Sequence, residues 1–232
     1  MKKLNFTLIA LNFISVIALG QSKLHLFVGP GAAYYQGDVS HTGLPDPKII
    51  RFNLKAGVGY DVSPRWGLRL HGSMGTLTGN DAYTDHVGKI ARGVSFNTSI
   101  IDAGLTVKIN GFMNNRFHLD NYLFVGVDYM NMKVANNYSG VLPLVPETGY
   151  SPHQINFPVG LGLGYWFNPF IGLFYEGSLH FTTTDYLDGL KYGGNPTAPD
   201  TYFDSHLLLV VRFGKFRLKG KDSFGNTDCP RF

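Results

Sequence analysis

Glu176, Ser178 and His180 alternate along one short run of the chain. A serine, an imidazole and a carboxylate are the parts of an acyl-transfer relay. Residues two apart on one strand stand side by side, however, and spacing alone does not aim the base at the nucleophile. A lipid-deacylating serine would also have to be reached from the lipid-facing edge, whereas these side chains share the opposite, polar face. They are read as a buried polar cluster, and the chain as a non-enzyme. The eight histidines are scattered without a metal-binding pair of the HExxH kind. His41 and His86, with Asp81 and Asp85, fall in long connecting segments with no converging spacing, so no metal or other cofactor is expected.

Charge supplies two further sets. Arg51, Lys55, Arg69, Lys108 and Arg212 share the polar face with Asp102, Asp128, Glu176 and Asp204. Buried charges must be paired, and these predict an ion-pair network that fills the interior. Proton or solute passage is the functional alternative. After Gly214, Lys215, Arg217, Lys219 and Lys221 alternate ahead of the single Cys229. This basic tail, residues 216–232, is the candidate contact for a periplasmic protein. It would also suit acidic lipid head groups. Cys229 is either a free thiol or half of an intermolecular disulfide.

What must position these residues is a sheet. Residues 24 to 215 hold eight runs of alternating apolar and polar side chains, the period of a strand with one apolar face. The runs are expected at Leu24–Gln36, Ile50–Asp61, Trp66–Thr76, Val94–Asn110, Tyr122–Met132, Gln154–Phe167, Phe170–Thr184 and Tyr202–Gly214. The gaps alternate. Those reading SPR, GFMNNR and NP are short; those at 37–49, 77–93, 133–153 and 185–201 are long. Short periplasmic turns and long outer loops mark an outer-membrane barrel. Closing the sheet pairs every backbone group, which lipid demands. The fold expected is therefore all-β: an eight-stranded antiparallel up-and-down transmembrane barrel over residues 21–215, with both termini in the periplasm. A soluble lipocalin-like barrel is the rival, but its apolar residues would line the interior. In the fourth run the phase changes, Phe96, Thr98 and Ile100 being even and Leu105, Val107 and Ile109 odd. A β-bulge near Ile100 would reconcile the halves.

Lys2 and Lys3 precede an apolar stretch from Phe6 to Leu19 and the small-residue site Ala18-Leu19-Gly20. Residues 1–20 read as an export signal cut before Gln21. The stretch falls short of the about 20 apolar residues of a spanning helix. Removing it leaves 18 basic against 16 acidic residues. That balance gives no reason to expect a nucleic-acid partner, and no small-molecule substrate is evident. Twenty-nine glycines and 14% aromatics suit crowded lumen walls and interfacial girdles.

Several segments occur together in a telling order. They are YYQGDVS at 34–40, Gly79-Asn80-Asp81, and the stretch from Arg92 to Asp102. Tyr122-Leu123-Phe124-Val125-Gly126-Val127, Thr184-Asp185-Tyr186-Leu187-Asp188 and Asp200-Thr201-Tyr202 follow. In this order the chain resembles the PorG-type outer-membrane barrels of Bacteroidetes, components of the type IX secretion system. The resemblance spans nearly the whole mature chain and departs from the family where Gly189-Leu190-Lys191 follows Asp188. It implies an outer-membrane scaffold that touches a periplasmic ring. Without it, the reading is a general small barrel with a structural or surface-binding role, and a lipid-modifying enzyme is a third alternative.

Overall fold

The computed structural model describes residues 24–37, 39, 47–83, 87–111, 119–138, 151–189 and 200–213. Eight strands follow in chain order: β1 (Leu24–Gln36), β2 (Arg51–Asp61), β3 (Trp66–Asn80), β4 (Val94–Asn110), β5 (Leu119–Tyr138), β6 (His153–Trp166), β7 (Ile171–Thr182) and β8 (Thr201–Phe213). Each pairs antiparallel with the next, and β1 pairs with β8 from Leu24 opposite Phe213 to Gln36 opposite Thr201. The sheet is a closed eight-stranded barrel. Closure leaves no edge strand and satisfies the whole ladder internally.

Side-chain chemistry makes two of the short turns. At the β2–β3 turn the Ser63 hydroxyl accepts the Trp66 amide at 3.0 Å. At the β6–β7 turn the Asn168 side-chain oxygen accepts the amides of Phe170 and Ile171 at 2.8 and 2.9 Å. Such local bonds mimic a backbone turn and suit Ser and Asn. At the other end, β3 and β4 are joined through a short 3-10 turn (Asp81–Tyr83) and a six-residue helix, α1 (Val87–Arg92). Gly93 ends α1 with φ +62°, a conformation a side chain disfavours.

The outward faces form an apolar belt. Leu70, Leu105, Val127, Leu161 and Leu209 are exposed along its middle. Tyr60, Trp66, Tyr165 and Phe213 ring the turn end, and Phe52, Tyr129, Phe157 and Phe181 the loop end. A belt of this kind with aromatic girdles is the outside of a transmembrane barrel. Among the described residues no helix is long and apolar enough to cross a membrane; the strands make the crossing.

Two expectations about the strands change. No bulge interrupts β4: its ladders to β3 and β5 run unbroken from Asn80–Ser95 and Val94–Tyr138 to Trp66–Ile109 and Asn110–Tyr122. Even positions face inward throughout, so Phe96, Thr98 and Ile100 are interior. Strands β3 and β5 are also longer than expected, reaching Asn80 and Tyr138. Both differences have one cause. Beyond Met74 and Ile101 the β3–β5 hairpins leave the apolar belt, and the pattern inverts. Outward positions become polar, as at Ser95, Asn97, Ser99, Asn131 and Lys133, and the interior becomes apolar. An alternation rule written for lipid misreads a stretch that stands in water.

Candidate functional site

The interior is built in three layers, each drawing side chains from several strands. At the turn end, Lys108 of β4 meets Asp61 of β2 at 3.1 Å, and Arg212 of β8 meets Asp120 of β5 at 3.5 Å. The Arg212 guanidinium lies 3.6 Å over the Trp166 ring, and the indole donates to Asp120 at 3.1 Å. Here a cavity of about 20 Å³ remains among His25, Phe27, Tyr122 and Phe174, enough for about one water.

The second layer is centred on Glu176 of β7, which is 0% exposed. Arg69 of β3 grips it with both arms, at 2.8 and 3.0 Å. Lys55 of β2 donates at 3.1 Å and the Tyr122 hydroxyl at 2.9 Å. Arg69 also donates to Thr106 at 3.3 Å and stands 4.8 Å from the Phe124 centroid. One carboxylate thus ties β2, β3, β5 and β7 across the lumen. The planar guanidinium suits this bidentate role in a way a lysine would not. Gly160, Gly162 and Gly164 of β6 leave the wall flat against Phe124, Tyr122 and Phe174, which fill the space a Cβ would take.

Above it, Asp204 of β8 accepts from the Ser178 hydroxyl and stands 3.2 Å from His180 Nε2. His180 stacks on Tyr202 with ring centroids 4.2 Å apart, and its Nδ1 faces Asn156 Oδ1 at 3.1 Å. The acid beside Ser178 and His180 is therefore Asp204, and Glu176 belongs to the layer below. The arrangement is not a relay. Carboxylate and serine hydroxyl crowd the same imidazole nitrogen, whereas a relay needs the acid on the other one. Ser178 is also buried among its partners.

On the opposite wall of this layer, Asp102 accepts from Ser73 at 2.8 Å and Asp128 lies 3.4 Å from His71 Nε2. Among the described residues neither carboxylate contacts a lysine or arginine. The ion-pair set is thus placed unevenly: Lys55 and Arg69 both meet Glu176, and Lys108 and Arg212 meet Asp61 and Asp120. Arg51 is not in the lumen. It begins β2 at the rim of the loop end, exposed, and donates to the Lys48 and Ile50 carbonyls at 2.8 and 3.1 Å. Its parity is inward, but the interior at its height is apolar, so the guanidinium turns to the backbone. Lys215, Arg217, Lys219, Lys221 and Cys229 lie outside the described residues, as do the export segment, His41, Asp85 and His86.

The mouth at the loop end is filled by residues whose role sequence reasoning missed. Tyr35, Leu77, Phe96, Ile100, Met130, Met132 and Tyr202 pack an apolar plug, and Leu187 inserts into it from the segment after β7. The Thr98 hydroxyl donates to the Leu187 carbonyl at 2.5 Å, and the Leu187 amide to Asp200 at 3.0 Å. The Tyr35 hydroxyl meets Asp188 at 3.1 Å and, more closely, Asp200. Nearby, Arg92 clamps Asp81 through two 2.8 Å bonds, and Asp81 caps the Val94 amide at 3.0 Å. Tyr35, Asp81, Leu187 and Asp188, from the YYQ, GND and TDYLD segments, thus do local work here: they tie the described segments beside the strand ends together.

A phenol has one hydrogen, so Tyr35 cannot donate to Asp188 and Asp200 together. A proton on one of the two carboxyls lets both contacts be hydrogen bonds. Burial, with the Asp188 carboxylate beside it, pushes Asp200 up to about 8. The folded state then keeps a proton the unfolded chain releases, so this contribution is whole below about pH 4 and is lost as pH rises toward 8. Unfolding midpoints in detergent should fall across that window, and Asp200→Asn should flatten the slope. An unchanged slope in the variant would place the proton elsewhere.

Several solved structures are similar to this chain at low sequence identity. Neisserial surface protein A is 14% identical, with a TM-score of 0.48 over 84% of this chain and 99% of that one. A major outer membrane protein from Thermus thermophilus is 17% identical, at 0.46 over 82% and 99%. The attachment invasion locus protein Ail of Yersinia pestis is 12% identical, at 0.42 over 83% and 98%. No curated protein matches the chain. A family model does match, over residues 2–214, and by that match the chain belongs to the family described as a domain of unknown function, DUF6089.

Proposed function

We propose that this chain is a non-conducting, non-enzymatic barrel of the outer membrane that acts as a scaffold. The observation that carries this is the filled lumen: a charged layer bridged by Glu176 below and an apolar plug sealed by Leu187 above. An eight-stranded barrel has room for little beyond its own side chains. What remains for function is its two ends and its lipid-facing wall. The segments from Tyr34 to Asp200 that resemble PorG-type barrels favour a finer reading, in which the scaffold anchors the type IX secretion machinery through a periplasmic ring. This reading assigns the contact to the basic tail from Lys215 to Cys229.

Reconstituted protein should give no steady current of porin size in planar bilayers, and large stable open levels would replace the scaffold with a transporter. In cells, a chain ending at Gly214 keeps all eight strands and should insert normally. It should also lose co-purification with the periplasmic ring and lose cargo secretion. Normal insertion with full secretion would leave a general structural barrel whose tail is a solvated end.

A further inference from the structure

The charge balance of the lumen is incomplete at one place. Lys108 answers Asp61, Arg212 answers Asp120, and Arg69 with Lys55 answers Glu176. The remaining positive charge of that trio falls to Asp204, which feels Lys55. Asp102 and Asp128 are left over. Both are buried, Asp128 at 0% exposed, and among the described residues no lysine or arginine touches either. Two carboxylates in a low-dielectric interior without a fixed cation are costly.

The geometry around them is that of a ligand set. His71 of β3, Asp102 of β4 and Asp128 of β5 each offer one ligand atom, all within 4.8 Å of one another. The three strands are adjacent and held by continuous ladders, which place His71 and Asp128 on either side of Gly104. The Asp128 carboxylate occupies the slot that a Cβ at Gly104 would fill. His71 Nε2 and Asp128 Oδ2 stand 3.4 Å apart and are not aligned as a hydrogen bond. Two ligands about 2.1 Å from a tetrahedral ion are separated by about that distance. Neither nitrogen of His71, neither oxygen of Asp128, nor Asp102 Oδ1 has a hydrogen-bond partner among the described residues. The other Asp102 oxygen is fixed by Ser73 at 2.8 Å, with Tyr202 facing the same carboxylate. That is how outer partners orient a ligating carboxylate.

We propose that His71, Asp102 and Asp128 bind one first-row divalent metal ion, of the Zn2+ or Mn2+ class, inside the lumen. One imidazole and two carboxylates suit such an ion. The set has too few oxygens for Ca2+, and Mg2+ keeps a near-octahedral, largely aqueous shell. Two positive charges match the two unanswered carboxylates. The site lies between the Glu176 layer and the outer plug, so the ion enters as the barrel closes and afterwards exchanges slowly. Its role is to brace β3, β4 and β5, where the charged half of the lumen meets the apolar half.

The test uses the full mature chain refolded in detergent with ZnSO4, with MnCl2 or with EDTA, then passed over a sizing column. Elemental mass spectrometry should find about one ion per folded barrel from one of the metal solutions, retained against later EDTA. His71→Ala and Asp128→Asn should lower occupancy at least tenfold, whereas Asp204→Asn should not. Unfolding in urea gives a second readout with a change of sign. Folded in EDTA, Asp128→Asn should be more stable than the natural chain, because it removes an unanswered charge. Folded with the metal, it should be less stable. Absence of bound metal would overturn the proposal, as would equal metal in every variant. A natural chain that stays more stable than Asp128→Asn in EDTA, with stability following pH instead of metal, would also overturn it and assign the balancing charge to a proton on His71.

Discussion

Glu176→Gln is expected to cost the folded barrel about 3–5 kcal/mol, the loss seen when one member of a buried ion pair is removed. The side chain keeps its shape, so packing is preserved and the effect is electrostatic. Arg69 and Lys55 remain, nine-tenths or more buried, with no carboxylate between them. The guanidinium has lost a partner with two charged oxygens, and the amide returns one neutral acceptor. Arg69→Met in the same background should recover much of the loss, because a lone cation is worse than an apolar neighbour of similar length. Tyr122→Phe should cost less, about 1.5–3 kcal/mol, because its hydroxyl donates to the Glu176 carboxylate and accepts from Arg69, and a hydrogen bond to a charged group is worth about that much. Urea titration of the refolded barrel in lipid vesicles reads all three. Equal midpoints for Glu176→Gln and the natural chain would show that something other than this carboxylate holds the layer together.

Those partners were legible in the sequence as members of a face, but not as contacts. Lys55, Arg69 and Glu176 all fall on the inward parity of clean alternating runs, and that parity is what the barrel shows. Period two says nothing about who meets whom across a lumen, because facing strands are set by barrel stagger and not by chain order. The same limit appears at Ser178 and His180. Their spacing suggested Glu176, two residues before Ser178, as the acid. The neighbouring strand β8 brings Asp204 instead, directly opposite Ser178 in the ladder. Local spacing was sufficient for the ends of β1 and β4, though it misread the phase of β4. It failed at the far ends of β3 and β5, where the solvent around the barrel changes.

The mouth was the least legible part, for a different reason. Tyr35 meets Asp188 and Asp200 across sequence separations of 153 and 165 residues. Nothing in YYQGD or TDYLD declares that they are two halves of one fastening. Grouped with Asp81 and Arg92, they hold segments beside the strand ends of this chain to one another. The type IX reading accordingly leans on the order of the motifs and on the tail, and less on any single residue within them.

The boundary between lipid and water along the outer wall is open to a direct measurement. Leu70 of β3 points outward, 58% exposed, midway between Trp66 and Met74. An arginine near the bilayer midplane of a barrel costs roughly 2–4 kcal/mol, so Leu70→Arg should lose about that much and insert poorly. Asn97, on the next strand and also outward, lies beyond Ile101 where the outer face has turned polar. Asn97→Arg should stay within about 0.5 kcal/mol of the natural chain, as surface changes in water do. The contrast is informative because both residues face away from the lumen and neither touches the ion-pair layer. Comparable damage from the two substitutions, measured by urea unfolding in vesicles, would move the membrane boundary outward past Asn97. The apolar plug around Phe96 and Ile100 would then lie within the bilayer, and the inverted pattern of β4 would need another cause.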